Sequence, residues 1–316
     1  MRKLIMPFLA AVIFFSCQKN EAPAPEQTES RERNCATDEA VQAQIAIDPS
    51  IRQRLDQLEL FTARMIAGGE VQKVGGNVLE IPVVVHVIYN TPEENISDAQ
   101  IQSQIDVLNE DFNLRNADRT LIPSIFTGVK ADVGVRFTLA QTIRKYSNKP
   151  SWPANDGMKF DQRGGSDAVD TENYLNIWVC DLQKYLGYAY YPGINPELDG
   201  IVVWYKAFGR TGTLAPPYDK GRTATHEVGH YLNLRHIWGD ATCGNDGVDD
   251  TPQHNTYNFG CPTFPHYSTC AGTPIEMTMN YMDYTDDPCM FMFTNGQKSR
   301  MQALFVPGGV REELVQ

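Results

Sequence analysis

The sequence predicts an α+β fold, in which a twisted mixed sheet and a central helix lie above a lower half that is rich in loops. The first observation behind this prediction is a series of apolar, β-branched segments that one amphipathic helical segment interrupts. The second is a helical segment near residue 230, followed by a long irregular stretch that ends in another helix. The third is a group of four cysteines in that stretch, because a region with so little regular structure needs disulfides or bound ions.

The predicted elements follow in chain order. Residues 78–89 are almost continuously apolar, which predicts a central strand, and His86 within it is expected to be a packed side chain. Ser97 is the expected N-cap of a helix whose apolar residues recur at helical spacing up to residue 112. Further strands are predicted over residues 133–141, 174–180 and 200–205, and further helices over residues 223–234 and 294–305.

The first 34 residues are expected to lie outside the folded domain. Residues 1–16 combine two cations with a short apolar run, which predicts a signal peptide and therefore export. Ser16 before Cys17 resembles a bacterial lipoprotein cleavage site, so Cys17 is the expected lipidation site; ordinary cleavage near Ser16, which leaves a soluble protein, is the alternative. Residues 17–34 are polar and rich in proline, which predicts a flexible, lipidated tether.

Composition limits the classes of function. The formal net charge is −12 and the sequence pI is about 5.0, and no basic patch is present to bind nucleic acid. After the N-terminal segments are removed, roughly 240–250 residues remain, which is enough for one domain with a sizeable core. We expect a monomer, with a membrane contact only through the N-terminal lipid.

Residues 226–236 carry the strongest functional signal, with three histidines and a glutamate at short spacing. On a helix, His226 and His230 lie one turn apart on the same face, and Glu227 lies beside them. His236 is out of phase with that helix, so the chain must turn sharply before it. Three neutral imidazoles leave the fourth position of a zinc ion open, which is typical of a catalytic site rather than a structural one.

This motif resembles that of the metzincin metalloproteases, His-Glu-x-x-His-x-x-Gly-x-x-His. Asn233 stands where that family has a glycine, and asparagine is the other residue that best tolerates the positive φ of such a turn. The second mark of the family is a methionine turn, which residues 280–284 resemble. The resemblance implies that Met282 lies beneath the histidines as a soft, apolar floor.

Further segments are similar to one branch of the metzincins, the pappalysin family, and especially to its small microbial members. The similar segments are residues 221–225, 236–240, 249–252 and 280–287. The resemblance implies a zincin-like fold, a metzincin catalytic domain over residues 67–316, and zinc-dependent endopeptidase activity. It covers residues 78–305, and its most specific part is residues 221–293.

The resemblance also implies roles for individual residues. Glu227 would act as the general base for the attacking water and then as the general acid for the leaving amine. The hydroxyl of Tyr284 would hydrogen-bond the developing oxyanion. Of the two aspartates after the methionine turn, Asp286 and Asp287, we assign Asp287 to the pocket that follows the scissile bond. Small microbial relatives imply cleavage before Arg or Lys through such an aspartate.

The substrate is expected to bind in an extended conformation along an edge strand, formed by Gly187 and Tyr188 or by residues 200–205. Two other functions remain open from the residues alone. One is a zinc-containing surface module that binds without turnover, although Glu227 has no use in a pure binder. The other is a metallopeptidase that trims short peptides.

Cys35 lies upstream of any globular pattern, and a thiolate is a good zinc ligand. The family resemblance implies that such a cysteine can occupy the zinc, so we interpret residues 35–66 as a propeptide with Cys35 as its latency switch. An idle surface thiol is the alternative. Residues 38–66 have helical periodicity and contain three arginines that suit proteolytic removal. The mature protein is therefore expected to begin between Arg52 and Asn77.

The remaining cysteines include four in the irregular stretch, which allow three disulfide pairings. A second structural zinc is the alternative, but no Cys-x-x-Cys pair is present. The family resemblance favours Cys243–Cys270 and Cys261–Cys289. Cys180 lies in a predicted buried strand and is expected to be a free thiol.

A short acidic loop within residues 243–251 offers several oxygen ligands of the kind that calcium prefers. A solvated acidic turn is the alternative that the residues leave open. The resemblance implies calcium in this region, with Asp246, Asp249 and Thr251 as candidate ligands.

Overall fold

The computed structural model describes residues 32–74 and 78–315. The predicted signal peptide, the lipidation site Cys17 and nearly all of the predicted tether lie outside these residues. Within the described ranges, no helix is both long enough and apolar enough to cross a membrane.

The sheet has five strands and is mixed, as the sequence predicts. The strands are β1 (Leu79–Tyr89), β2 (Val135–Tyr146), β3 (Leu175–Cys180), β4 (Gly187–Ala189) and β5 (Ile201–Trp204). Their order in the sheet is β2-β1-β3-β5-β4. Strands β2, β1, β3 and β5 run parallel to one another, and β4 pairs antiparallel with β5. Strand β4 is therefore an outer edge, and the predicted strand over residues 200–205 is an inner strand that has no free edge.

Two strands differ from their predictions. Strand β2 extends to Tyr146, whereas the sequence predicts its end at residue 141. It lies at the edge of the sheet opposite β4, and its second half is largely exposed, so that half has no run of apolar residues by which to recognise it. Strand β4 has only three residues, which is too short for a period of two to be recognised. His86 is buried in β1, stacks on Trp178 at a ring distance of 5.0 Å and hydrogen-bonds Asn176.

The helices form where capping and periodicity predict them. The six α-helices among the described residues are α1 (Thr37–Ile47), α2 (Ser50–Ala67), α3 (Val71–Val74), α4 (Asp98–Phe112), α5 (Arg222–Tyr231) and α6 (Asn295–Gln302). The Ser97 side chain caps α4 by accepting from the N–H of Gln100 at 3.1 Å. Thr294 and Gln297 form a capping box at the start of α6. Helix α5 ends at Tyr231, three residues before its predicted end, because the chain turns there.

The lower half of the domain, between α5 and α6, contains no α-helix or named strand in the part of the chain described. Two disulfides cross it, Cys243–Cys270 and Cys261–Cys289, each with Cα atoms 5.6 Å apart. These are the pairs that the family resemblance favoured. Cys180 is a buried free thiol in β3.

Candidate metal centre and active site

Helix α5 and the turn after it bring the three histidines of the motif together. His226 and His230 leave the same face of α5, and Asn233 then adopts a φ of 69°, which turns the chain back so that His236 reaches them. The Nε2 atom of His230 lies 3.1 Å from that of His226 and 3.1 Å from that of His236. All three rings are buried.

The Nδ1 atom of each ring faces an acceptor. His226 donates to the carbonyl of Tyr281 at 2.7 Å, His230 to that of Leu234 at 2.8 Å, and His236 to the carboxylate of Asp240 at 2.6 Å. Each Nδ1 therefore carries the proton, and three Nε2 lone pairs converge on one point. A metal ion at that point would satisfy all three lone pairs at once, and the nitrogen set suits zinc.

Electrostatics favour a neutral ring at two of the three histidines. Burial lowers the pKa of His226 well below its usual value, and it lowers the pKa of His230 to about 3. At His236, burial would lower the pKa, but hydrogen bonds with Asp240 and Asp38 outweigh it and raise the pKa well above its usual value. Asp240 orients the third ring, and sequence reasoning gave it no role. The feature of the sequence that could have indicated this role is the position of Asp240, four residues after His236.

Met282 packs against the back of α5. A Cβ atom on Gly229 would lie 2.4 Å from the Met282 sulfur, so the helix needs glycine at this position for the methionine to fit. The Met282 carbonyl also accepts from the N–H of Ile237 at 3.1 Å, which ties the methionine turn to the segment after His236. Met282 is fully buried.

Glu227 lies between the histidines and strand β4. A Cβ atom on Gly187 would lie 2.8 Å from the Glu227 Cγ, so this glycine lets the carboxyl approach the strand. The Glu227 Oε2 atom lies 3.3 Å from the Cys35 sulfur and 3.4 Å from the Thr37 hydroxyl. Burial raises the pKa of Glu227 to about 8.

The Tyr284 ring lies on the other side of the histidines, with its centroid 5.0 Å from that of His236. Its hydroxyl donates to the main-chain carbonyl of Cys35 at 3.3 Å. The tyrosine thus faces a peptide carbonyl of the segment that lies next to the histidines.

The cleft segment, residues 33–37, lies next to the histidines. It runs parallel to the outer edge of β4: the Leu186 N–H donates to the Asn34 carbonyl, and the Ala36 N–H donates to the Gly187 carbonyl, both at 3.0 Å. The Cys35 sulfur and the three histidine nitrogens lie within 4.8 Å of one another. Burial, with Glu227 nearby, raises the pKa of the Cys35 thiol to about 12, so a cation is needed to hold it there as a thiolate.

Arg33 is buried and enters a pocket whose end is Asp287. Its guanidinium pairs with the fully buried Asp287 carboxylate and donates through Nε to the Thr285 carbonyl at 2.8 Å. The Tyr218 ring lies 5.2 Å from the guanidinium carbon. Asp286, by contrast, is partly exposed, and its N–H donates to the Gly260 carbonyl.

Sequence reasoning missed the role of Arg33. Its signal was the spacing of two residues from Cys35, which places both side chains on one side of an extended chain. Arg33, which the predicted boundary places in the tether, is buried in the cleft, and the carbonyl of the exposed Asn34 accepts from the Leu186 N–H.

Helix α2 contacts the turn between the zinc-ligand candidates. The Asn233 side chain donates to the buried Thr62 hydroxyl at 3.3 Å. Arg300 binds the Asn233 carbonyl at 3.2 Å and the Glu59 carboxylate at 2.7 Å. Arg235 lies 3.6 Å from the same carboxylate.

The acidic loop places its candidate calcium ligands differently from the expectation. Asp246 is buried and accepts from the Thr251 hydroxyl at 2.9 Å, whereas Asp249 is exposed. Asp250 points inward instead, and its Oδ1 atom is buried without a hydrogen-bond partner among the described residues. The carboxylates of this loop that have buried oxygens are therefore Asp246, which hydrogen-bonds the Thr251 hydroxyl, and Asp250, whose Oδ2 atom accepts from the Gly296 N–H at 2.9 Å.

Comparisons with known proteins identify the family. Residues 160–306 match the sequence profile of the peptidase family described as Pregnancy-associated plasma protein-A. Extracellular metalloprotease 1 of Coccidioides posadasii is 35% identical to this chain over 242 residues, which cover 72% of this chain and 77% of that protein.

Two solved structures are similar over most of the chain. Mature mirolysin of Tannerella forsythia, in complex with a cleaved peptide, is 47% identical with a TM-score of 0.73, and the match covers 76% of this chain and 96% of that one. A promirolysin mutant of the same species is 43% identical with a TM-score of 0.81, covering 90% and 97%. Sequence, fold and the zinc motif therefore agree: the chain belongs to the pappalysin family of metzincins and is a zinc metalloendopeptidase.

Proposed function

We propose that this endopeptidase cuts before Arg or Lys, and that it is made as a latent zymogen whose own N-terminal segment fills the active-site cleft. The observation that carries the proposal is the position of Arg33, which pairs with the buried Asp287 while Cys35, two residues later, lies at the three histidines. A basic side chain of this chain therefore already occupies the pocket beside the metal centre.

The Asp287 pocket suits a long cationic side chain. The Asp287 Oδ2 atom accepts from the N–H groups of Lys220 and Arg222, so the carboxylate is fixed before a substrate arrives. A buried carboxylate is costly without a cationic partner, and Arg or Lys would supply one. The ring of Tyr218 and the carbonyl of Thr285 complete the contacts with a guanidinium.

Catalysis would use the groups around the histidines once the cleft segment has left. Zinc, bound by the three histidines, supplies Lewis-acid activation of a water molecule and of the substrate carbonyl. Glu227 would accept the proton of the water and pass it to the leaving amine, since it faces the same point from the β4 side. Tyr284, which now donates to a main-chain carbonyl, would donate to the oxyanion.

The enzyme would be latent because its own cleft segment fills the active site. The cleft segment uses the outer edge of β4, the Asp287 pocket and the position beside the histidines, so a substrate cannot bind while it is present. The thiolate of Cys35 would take the fourth zinc position. Release of the cleft segment would require cleavage of the chain between Arg52 and Asn77. The arginines in this range lie in helix α2, so part of that helix would have to unfold before a protease could cut at them.

Export is also part of the proposal. Residues 1–16 have the features of a signal peptide, and Cys17 those of a lipidation site. The relatives are named extracellular metalloproteases, which supports export of this chain. A lipid on Cys17 would hold the latent enzyme at a membrane until cleavage releases the catalytic domain.

A calcium ion in the acidic loop completes the proposal. Burial raises the pKa of Asp246 to about 6, and the inward Asp250 oxygen lacks a donor among the described residues, so a cation would balance both carboxylates. This loop begins at Cys243, which a disulfide joins to Cys270, and it belongs to the lower half, where the described residues form no α-helix or named strand.

The test is cleavage of an unbiased peptide library by prosegment-free wild type, Asp287→Asn and the matched control Asp286→Asn, with and without a zinc chelator. We expect chelator-sensitive cleavage before Arg or Lys in wild type and in Asp286→Asn. Asp287→Asn should lose about a hundredfold in kcat/KM on these peptides, because the buried charge pair is gone. Cleavage with no basic residue after the cut would contradict the pocket assignment and leave the enzyme class intact.

A further inference from the structure

Strand β4 is short and lies at the edge of the sheet, yet the cleft segment binds to it. One edge of β4 pairs with β5, and the outer edge pairs with residues 34–36 of the cleft segment. Under the proposed function, the same outer edge binds the main chain of the substrate. A strand of three residues with one neighbour in its own sheet needs further support to hold a ligand in register.

That support lies on the buried face of the strand. Tyr188 and Tyr190 are two residues apart, so their side chains leave the same side of the extended chain. Both are buried, and their hydroxyls donate to the two oxygens of one carboxylate, that of Asp156, at 3.0 Å and 2.7 Å. Sequence reasoning placed Tyr188 at the substrate-binding edge but gave Tyr190 and Asp156 no role, although the alternating Gly-Tyr-Ala-Tyr at residues 187–190 was a signal.

The carboxylate is itself held by a fully buried lysine. The Lys159 Nζ atom lies 3.3 Å from Asp156 and donates to the Leu198 carbonyl at 2.7 Å. Its charge is further balanced by three aromatic rings whose centroids lie 5.1, 5.1 and 4.6 Å away. These rings are those of Trp178, Tyr188 and Tyr190.

A buried ion pair is rarely the most stable way to fill a core, because desolvation of both charges offsets their attraction. What this pair provides is a fixed point outside the sheet. Asp156 has a φ of 62°, and its side chain accepts from both tyrosines and from Lys159 at once. The two hydroxyls thus connect β4 to a polar anchor that does not depend on the β4–β5 ladder.

We propose that Asp156, held by Lys159, is a positioning residue that fixes the peptide-binding strand β4 through the hydroxyls of Tyr188 and Tyr190. This inference rests on the proposed function, because it assigns β4 to substrate binding. Main-chain hydrogen bonds to β4 stabilise the bound substrate and the transition state alike. Loosening the strand should therefore raise KM and leave kcat nearly unchanged.

The first test compares the activated wild-type enzyme with the double variant Tyr188→Phe/Tyr190→Phe, which leaves the Asp156–Lys159 pair intact. The substrate is an eight-residue peptide with Arg after the cut. We expect KM to rise about tenfold, kcat to change by less than about twofold, and bound zinc to stay constant. The control is Tyr205→Phe, a buried tyrosine beyond the end of β5, which should change neither constant.

The second test needs no turnover and uses the full-length latent chain. Hydrogen exchange at the amides of Leu186 and Ala36, which bond across the outer edge of β4, should become about tenfold faster in the double variant. Amides in the pairing of β1 with β3 should keep their protection. If the double variant does not fold, Tyr190→Phe alone should produce the same pattern at smaller amplitude.

Three outcomes would overturn the proposal: an unchanged KM, a fall in kcat at constant KM, or faster exchange spread evenly over the whole sheet. The proposed function fails separately. If the activated wild type cuts no peptide, the assignment of β4 to substrate is wrong, whereas the exchange experiment still shows whether the tyrosines anchor the strand.

Discussion

The cleft segment and helix α2 both belong to the proposed prosegment and contact the rest of the domain, but they use different chemistry. The cleft segment contacts groups that the proposed reaction needs: Glu227, the three histidines and Asp287. Helix α2 contacts the turn after α5 through a neutral hydrogen bond between Thr62 and Asn233 and an ion pair between Glu59 and Arg300. The mechanism uses none of these four side chains.

The difference separates two properties of a zymogen. Contacts with reacting groups decide whether the site is blocked, because a substrate and the cleft segment compete for the same atoms. Contacts at α2 only add to the affinity of the prosegment, since the site would still be blocked by residues 33–37 if α2 were loose. Changes in the first region should therefore act on activity directly, and changes in the second should act in small increments.

The largest effect should come from Glu227→Ala, which removes the proposed general base and leaves the prosegment contacts of α2 untouched. Cleavage by the prosegment-free variant should fall by at least about a hundredfold, with zinc still bound. The measurement is kcat/KM on an Arg-containing peptide, together with the zinc content. Activity within about tenfold of wild type would remove Glu227 from the mechanism.

The next effect should come from Cys35→Ser in the full-length chain. Serine is a poor zinc ligand at neutral pH compared with a thiolate, so the cleft segment would be held less tightly and would leave the site more often. Peptide cleavage should therefore rise about tenfold or more. The rate of peptide cleavage by the uncut chain measures this. Cys180→Ala, which removes the other free thiol of the described residues, is the control and should leave latency unchanged.

A smaller effect should come from Glu59→Gln, which breaks the partly buried pair with Arg300. Such pairs contribute on the order of 1 kcal/mol, so the activity of the full-length chain should rise by about fivefold or less. The control is Glu70→Gln, which breaks the exposed pair with Lys73 a few residues beyond the proposed propeptide. Equal effects of the two variants would argue against a specific contact between helix α2 and the turn at Asn233.

Combining Cys35→Ser with Glu59→Gln tests whether the two regions act independently. If they do, the fold-changes in activity should multiply, because free energies of independent sites add. A combined effect no larger than that of Cys35→Ser alone would show that α2 acts only through the cleft segment.

The smallest effect should come from Arg235→Gln. Arg235 is partly exposed and lies 3.6 Å from Glu59, so water and salt screen the pair. The activity of the full-length chain should change by less than about twofold, and less again at high salt. A tenfold change would mean that the prosegment depends on Arg235 rather than on Arg300.

Much of the site could be predicted because its signals are local. The ligand spacing of residues 226–236 requires a helix and then a turn, and Asn233 fits the turn with its positive φ. Ser97 and Thr294 cap helices through contacts three residues away, which sequence patterns capture well. Strand β4 was predicted only as one of two candidate edges, at Gly187 and Tyr188, because three residues carry no usable periodicity.

The sequence by itself determined the zinc-binding motif and the helical periodicity of residues 38–66, because each depends on residues that are close along the chain. Only the tertiary structure decided which aspartate meets a cation, since Arg33 and Asp287 are 254 positions apart and no local pattern links them. The same holds for Tyr188, Tyr190 and Asp156, whose contacts form only when the loop before β3 folds behind the edge strand. Local spacing fixes which chemistry is available, whereas packing between distant segments fixes where that chemistry acts.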